Sequence, residues 1–390
     1  MTDASMMPRR NALDLSVNDW KDWACAAGLP SFVGRQVFRW IYQKETFDPE
    51  RYSDLSLSVR LKLAEEFAWH GPDTLVVSQL LRSSDLSQKV LFRTHDGLYA
   101  ECVLMPSENR VTVCVSSQVG CRMACSFCQT GKMGFTRQLS SGEILAQILL
   151  CQQILKGEDA PRTRVTNVVF MGMGEPLDNF TEVVKACKTM VDPDGLGMSK
   201  HKVTVSTCGL VPEIERLGKE VAVSLAISLH AADESLRTQM MPINKRYSLA
   251  ELKKALLNYP VQTRHGITFE YVMIDGVNDS ILHAKKLVRY IHGLKAKVNL
   301  IPMNPHPGSP MQESTLLTMQ AFQDYLTARS IPAPIRYSRG QDVSAACGQL
   351  ASKKHDELNV APRKVALARR REWLEERTAQ GAKSSVGRPT

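Results

Sequence analysis

The chain has 390 residues, a formal charge of +9 and a pI near 9.0. That length accommodates one large α/β domain plus a smaller accessory piece, and the composition, 43% hydrophobic and 23% charged, excludes a generally disordered protein. The polar start, Met1 to Arg10, lacks an apolar segment, so no signal peptide is expected. The most apolar run, Val221 to Ala232, carries serines and a histidine and is too short to span a bilayer, so no membrane partner is expected and a cytoplasmic location is.

Excess positive charge favours an acidic partner, with nucleic acid the first candidate, although a basic soluble enzyme has the same composition. Ten cysteines in a long cytoplasmic chain point to metal binding or catalysis before a disulfide scaffold.

From Leu13 to about Phe67 the apolar residues recur at helix spacing: Trp20 and Trp23, then Val37, Phe38, Ile41 and Tyr42, then an amphipathic run from Leu55. We expect a helical accessory domain over residues 1–75. Its Arg35, Arg39 and Lys44 are either RNA contacts or an ordinary solvated basic face. Residues 76–109 carry strand patterns, Lys89 to Arg93 and Tyr99 to Met105, around an Asp96-Gly97 turn, and are expected to join that domain to the next.

Over residues 110–352 the rhythm becomes strand, loop, helix. Strands are expected at Val111 to Val115, Val165 to Met171, His201 to Thr207, Val221 to His230, Ile267 to Ile274 and Val298 to Met303. Helices are expected at Ser141 to Leu155, Thr181 to Met190, Leu249 to Leu257, Ile281 to Leu294 and Leu316 to Ser330. Six strands alternating with helices predict a parallel α/β sheet, open or curled into a barrel. Residues 353–390 hold ten Lys and Arg against five Asp and Glu, and read as a short basic helix running into a disordered tail.

The chemistry centres on Cys121-Arg-Met-Ala-Cys125-Ser-Phe-Cys128. A structural zinc site requires a fourth ligand, and no second C-x-x-C or C-x-x-H has suitable spacing nearby. Ferredoxin spacings supply four thiolates and do not match. Three thiolates on an iron–sulfur cluster leave one iron open to a small molecule. The spacing C-x-x-x-C-x-x-C, with Phe127 before the last cysteine, is the signature of radical S-adenosylmethionine (SAM) enzymes, in which the open iron binds SAM. One strand further on, Met171-Gly-Met-Gly174-Glu175-Pro176 combines glycines that permit close backbone approach with a carboxylate suited to an ammonium.

Five segments carry a closer resemblance: Cys114-Val-Ser-Ser-Gln-Val-Gly-Cys121, Phe170 to Pro176, Ser228-Leu-His230, Ile301-Pro-Met-Asn-Pro305 and Ala345-Ala-Cys-Gly-Gln-Leu350. From about Leu13 to Leu350 the chain resembles the bacterial radical SAM adenine-C2 RNA methyltransferase family. The resemblance implies a partial (β/α)6 TIM-like barrel with a small helical N-terminal domain. Its implied substrates are an adenine of 23S rRNA and an adenine beside the tRNA anticodon. It also implies a 4Fe–4S cluster on Cys121, Cys125 and Cys128, with a reductant such as flavodoxin, and a monomer.

Carbon 2 of adenine is electron-poor and does not attack the methyl of SAM, so cofactor-borne radical chemistry is needed. In the family one SAM methylates a cysteine, matched by Cys347, and a second yields a 5′-deoxyadenosyl radical that takes hydrogen from that S-methyl group. The carbon radical adds to adenine and forms a protein–RNA crosslink. A second cysteine, matched by Cys114, then releases the RNA and leaves a Cys114–Cys347 disulfide.

By the same resemblance Glu101 accepts the C2 proton, with the Cys114 thiolate as a competing base. Gly174, Glu175, Ser206, Ser228, Leu229, His230 and Asn304 contact SAM. Strand alternation places Val111, Val113 and Val115 on one face and Cys114 on the other, towards a barrel interior. Cys102 and Cys208 stand where a hydroxyl residue is common in the family; Cys25, Cys151 and Cys187 match no motif. Two rivals stand: a relative methylating carbon 8 of the same rRNA adenine, and a zinc-stabilised RNA-binding module without activity.

Overall fold

The computed structural model describes residues 9–158, 160, 162–261, 266–305 and 309–350. The basic C-terminal helix and tail read from the sequence lie outside the described residues.

The N-terminal part is helical. Val17–Ala26 begins in a capping box, Ser16 Oγ accepting from the Asp19 amide while the Asp19 carboxylate accepts from the Ser16 amide. It crosses Phe32–Tyr42 so closely that a Cβ on Gly34 would lie 2.2 Å from the Trp20 carbonyl oxygen. Trp20 is fully buried against Phe67 and Trp69, with ring centroids 4.8 and 5.8 Å away. The basic residues flagged here have internal partners: Arg35 and Arg39 both pair with Asp194, at 3.2 and 2.7 Å, and the Lys44 ammonium sits over the Trp40 ring. Two of these three cations therefore tie the helices to the rest of the molecule, a use that periodicity alone does not reveal.

Nine strands form one sheet. Val76–Arg82, Gln88–Arg93 and Tyr99–Ser107 are antiparallel neighbours, and Tyr99–Ser107 pairs with Arg110–Cys114. From there Arg110–Cys114, Asn167–Phe170, Val203–Thr207, Ser224–Ser228, Ile267–Met273 and Ala296–Pro302 run parallel in chain order. These are the six strands expected, in a partial (β/α)6 barrel whose sheet does not close: Ala296–Pro302 is one edge and Val76–Arg82 the other.

The expected helices are present at Ser141–Gly157, Phe180–Val191, Leu249–Asn258, Ile281–Ile291 and Leu316–Thr327. Val211–Glu220 and Glu234–Met240, with the short Gln129–Met133, go beyond those expected. The first of these moves the start of the following strand from Val221 to Ser224.

Strand alternation determines what the barrel presents inward. Val111, Val113 and Val115 are at most 1% exposed in the core, while Thr112 and Cys114 line an internal cavity. No described helix is long and apolar enough to cross a membrane.

Candidate active site

Two cavities share a wall. The smaller, about 170 Å³, lies at the carboxyl ends of the parallel strands and is lined by Cys121, Cys125 and Cys128 facing Gly174, Glu175 and His230. The larger, about 500 Å³, reaches from that wall towards the amino ends of the strands and is lined by Cys114 among others. Cys347 and Glu270 belong to both.

The cysteine loop is held by its own hairpin and by the Cys347 segment. Gln118–Gly120 pairs with Phe135–Gln138, and the Cys121 amide donates to the Gly134 carbonyl at 2.8 Å. Gly120 is required there, because its φ is +77° and a Cβ would meet the Gly134 oxygen at 2.0 Å. After Cys128 the Gln129 amide donates to Gly348 O at 2.8 Å, and Thr130 Oγ1 donates to Leu350 O at 2.6 Å. Two hydrogen bonds thus stitch the loop that ends at Cys128 to the residues just beyond Cys347.

Across the smaller cavity, Glu175 is almost fully buried. Its Oε1 accepts from the Leu177 amide at 3.0 Å, its Oε2 from the Cys208 amide at 2.8 Å, and its own amide donates to Gln118 Oε1 at 2.8 Å. Burial raises its pKa, with these hydrogen bonds partly offsetting. Gly174, at φ +101°, packs where a Cβ would meet Gln118 Cβ at 2.5 Å.

Ser206 and Ser228 line the same cavity with their hydroxyls 3.5 Å apart. Asn304 Nδ2 donates to Ser338 Oγ at 2.8 Å and to the Cys347 carbonyl at 3.1 Å. His230, at φ +57°, accepts from the Val272 amide at Nδ1 and packs edge-on against Phe127. Burial, with Arg237 assisting, lowers its pKa to about 3, so it is a neutral imidazole. Leu229 differs from the rest: its side chain is wholly in the core, and only its backbone reaches this region, the amide donating to Glu270 O at 3.1 Å.

Glu101 lies outside the walls of both cavities. It is 2% exposed, and Lys89 Nζ stands 3.5 Å from its Oε1. Cys102 and Cys151 face each other at 4.0 Å in the core, and Cys187 is fully buried. Cys208 differs from these three, lying in the cavity wall beside Glu175. Sequence reasoning missed Lys89, Glu270 and Arg237. Arg237 is 1% exposed behind the site, donating to Asn244 Oδ1 and the Cys208 carbonyl, both at 2.7 Å. An arginine in a short helix carries no local sign that it will be buried.

The donor set fits an iron–sulfur cluster. Burial first, then the charges of Glu175 and the neighbouring motif cysteines, push the Cys121 thiol up to about 12 and raise Cys125 as well, so a strong cationic centre is needed to draw out the thiolates. Among the described residues no three His, Cys, Asp or Glu side chains converge where a single metal ion would bind all of them. A cluster places each thiolate on a different iron and does not require that convergence. Glu175, Ser206, Ser228 and Asn304 line the same cavity as these cysteines.

Comparison with known proteins agrees with this geometry. The Radical SAM superfamily matches residues 115–288, and the ribosomal RNA large subunit methyltransferase N-terminal domain matches residues 10–68. A solved radical SAM methyltransferase from Sphaerobacter thermophilus is 41% identical and superimposes with a TM-score of 0.79, covering 87% of this chain and 99% of its own. The fold and site thus define a radical SAM protein of the methyltransferase type.

Among curated proteins, the dual-specificity RNA methyltransferase RlmN of Syntrophobacter fumaroxidans is 43% identical over 342 residues, 87% of this chain and 97% of that one. Its counterpart in Nitratiruptor sp. is 44% identical over 360 residues, 89% and 99% of the two chains. The chain belongs to the RlmN family of dual-specificity RNA methyltransferases.

Proposed function

We propose that this protein is a cytoplasmic radical SAM methyltransferase acting on carbon 2 of adenine in both 23S rRNA and tRNA. The observation that carries the reading is the placement of Cys347 in the wall common to two cavities, one holding the three motif cysteines and the other Cys114. A methyl carrier between a radical source and a substrate needs that position.

In this reading Cys121, Cys125 and Cys128 hold three irons of a 4Fe–4S cluster, fed by a reductant such as flavodoxin, and each turnover consumes two SAM molecules. Bound there, cluster and SAM supply a radical able to take hydrogen from an unactivated methyl group. Glu175 accepts the SAM ammonium, assisted by Ser206, Ser228, His230 and Asn304, with Gly174 and the Leu229 backbone shaping the approach. Cys347 carries the methyl to adenine and becomes transiently linked to it; the C2 proton goes to Glu101, which stands behind the cavity walls beside Lys89, or to the competing Cys114 thiolate in the wall, and Cys114 displaces the product as the Cys114–Cys347 disulfide forms. Residues 1–75, joined through 76–109 to the catalytic residues 110–352, and the basic 353–390 supply further contacts to RNA. The protein works as a monomer.

RNA from cells with and without the protein tests this. The expected result is 2-methyladenosine in both rRNA and tRNA pools only when the protein is present. A product bearing only 8-methyladenine, or no difference between cells with and without the protein, overturns it.

A further inference from the structure

Adenine must be told from other bases inside the larger cavity, and none of the residues assigned above does so. The wall of that cavity carries one polar pair with capacity to spare. Glu270 and Asn299 lie on adjacent parallel strands, opposite each other in register, and are 7% and 6% exposed. Asn299 Nδ2 donates to Glu270 Oε1 at 2.8 Å, while Asn299 Oδ1 has no hydrogen-bond partner among the described residues. Leaving a buried amide oxygen unpaired is costly, and a ligand donor is the ordinary remedy.

The charge around the pair also points to a nucleotide. Arg110, Lys297 and Arg336 line the same cavity, and none has a carboxylate within ion-pair distance among the described residues. Burial first, then Arg336 and Arg110, depresses the Lys297 ammonium while Glu270 opposes them, as expected where cations outnumber carboxylates. A phosphate entering here would relieve that crowding.

We propose that Glu270 and Asn299 form the base-recognition pair for a flipped-out adenine, Asn299 Oδ1 accepting from the 6-amino group and the Glu270 carboxyl donating to N1. This rests on the adenine-C2 reading above. The order of groups supports it: Asn299 lines only the larger cavity, whereas Glu270 and Cys347 share the wall between the two. Along the Watson–Crick edge of adenine the sequence is 6-amino, N1, C2. With the first two on Asn299 and Glu270, carbon 2 is the atom presented towards Cys347. Burial raises the Glu270 pKa, with Asn299, Arg336 and Lys297 partly offsetting, which favours proton uptake by the carboxylate as the base binds. Reading a flipped base by its Watson–Crick edge is a general solution for enzymes acting on nucleobases.

The test uses cluster-loaded full-length protein and two RNA hairpins, one with adenine at the target and one with purine, which lacks the 6-amino group. For each protein the ratio of kcat/KM on the two RNAs is measured; it does not depend on the fraction of active enzyme. Wild type is expected to favour adenine by about 10- to 100-fold, the range for leaving one buried acceptor unpaired. Asn299→Leu is expected to bring the ratio within about threefold of unity, and Asn299→Asp, which keeps an acceptor, to retain discrimination. If Asn299→Leu does not accumulate as iron-loaded protein, Asn299→Ala gives the same reading. Discrimination unchanged in the leucine or alanine variant overturns the assignment. Wild-type methylation of the adenine hairpin, read separately by where the methyl lands, tests the adenine-C2 reading itself.

Discussion

Lys89 Nζ lies 3.5 Å from Glu101 Oε1 and donates to the Ser344 carbonyl at 3.2 Å, so a single buried ammonium joins a strand carboxylate to the segment carrying Cys347. The side chains are 9% and 2% exposed. Removing one member of such a pair takes an ionic partner from a group held away from water. Lys89→Met should therefore lower unfolding stability by about 3 kcal/mol, and Lys89→Met with Glu101→Gln should be less destabilised than the single variant. Chemical denaturation of the three proteins measures this. A double variant at least as unstable as Lys89→Met would show that the pair is not coupled.

Cys347 keeps an accessible face towards the cavities, yet the surrounding protein pushes its thiol up to about 11. The cause is burial first, with the charges of Glu270 and Cys128 adding to it. Because the thiolate is the reactive form, alkylation of Cys347 in cluster-free protein should rise about tenfold per pH unit from pH ~8 to ~10, where an ordinary thiol levels off near pH ~9. Peptide mass spectrometry after timed alkylation follows the site. A plateau below pH ~9 would contradict the assigned environment.

Glu175 must be ionised to hold an ammonium, and burial raises its pKa. SAM affinity in wild type should therefore fall as pH is lowered through that raised value, since protonation removes the negative charge. Glu175→Gln should bind SAM ~10- to 100-fold more weakly and lose the pH dependence. Calorimetric titration of cluster-loaded protein decides. Equal affinity in the variant would remove Glu175 from the SAM site.

Anaerobically purified protein should be brown with about four irons per chain, and an iron chelator should bleach it and abolish activity. Cys121→Ala, Cys125→Ala and Cys128→Ala should each come out nearly colourless. Colourless wild type holding stoichiometric zinc would favour the inactive RNA-binding module instead.

What the sequence revealed depended on distance along the chain. The three motif cysteines and the Gly174-Glu175 turn are local patterns, and the six parallel strands are regular enough to be read from periodicity. Groups whose environment comes from remote residues were not legible. Arg237 reads as a surface cation of a short helix until Cys208 and Asn244 fold over it. Glu270 and Asn299 sit 29 positions apart and become a pair only through strand register. Arg35 and Arg39 were visible as cations, but their common partner Asp194 lies more than 150 residues downstream.

The most direct test of the account follows the covalent intermediate. Cluster-loaded Cys114→Ala protein incubated with SAM, reductant and substrate RNA should accumulate RNA covalently attached at Cys347, seen as a retarded band and mapped by mass spectrometry, whereas Cys347→Ala should neither methylate nor crosslink. Equal activity in the two variants, or turnover in Cys347→Ala, would contradict methyl transfer through these two thiols.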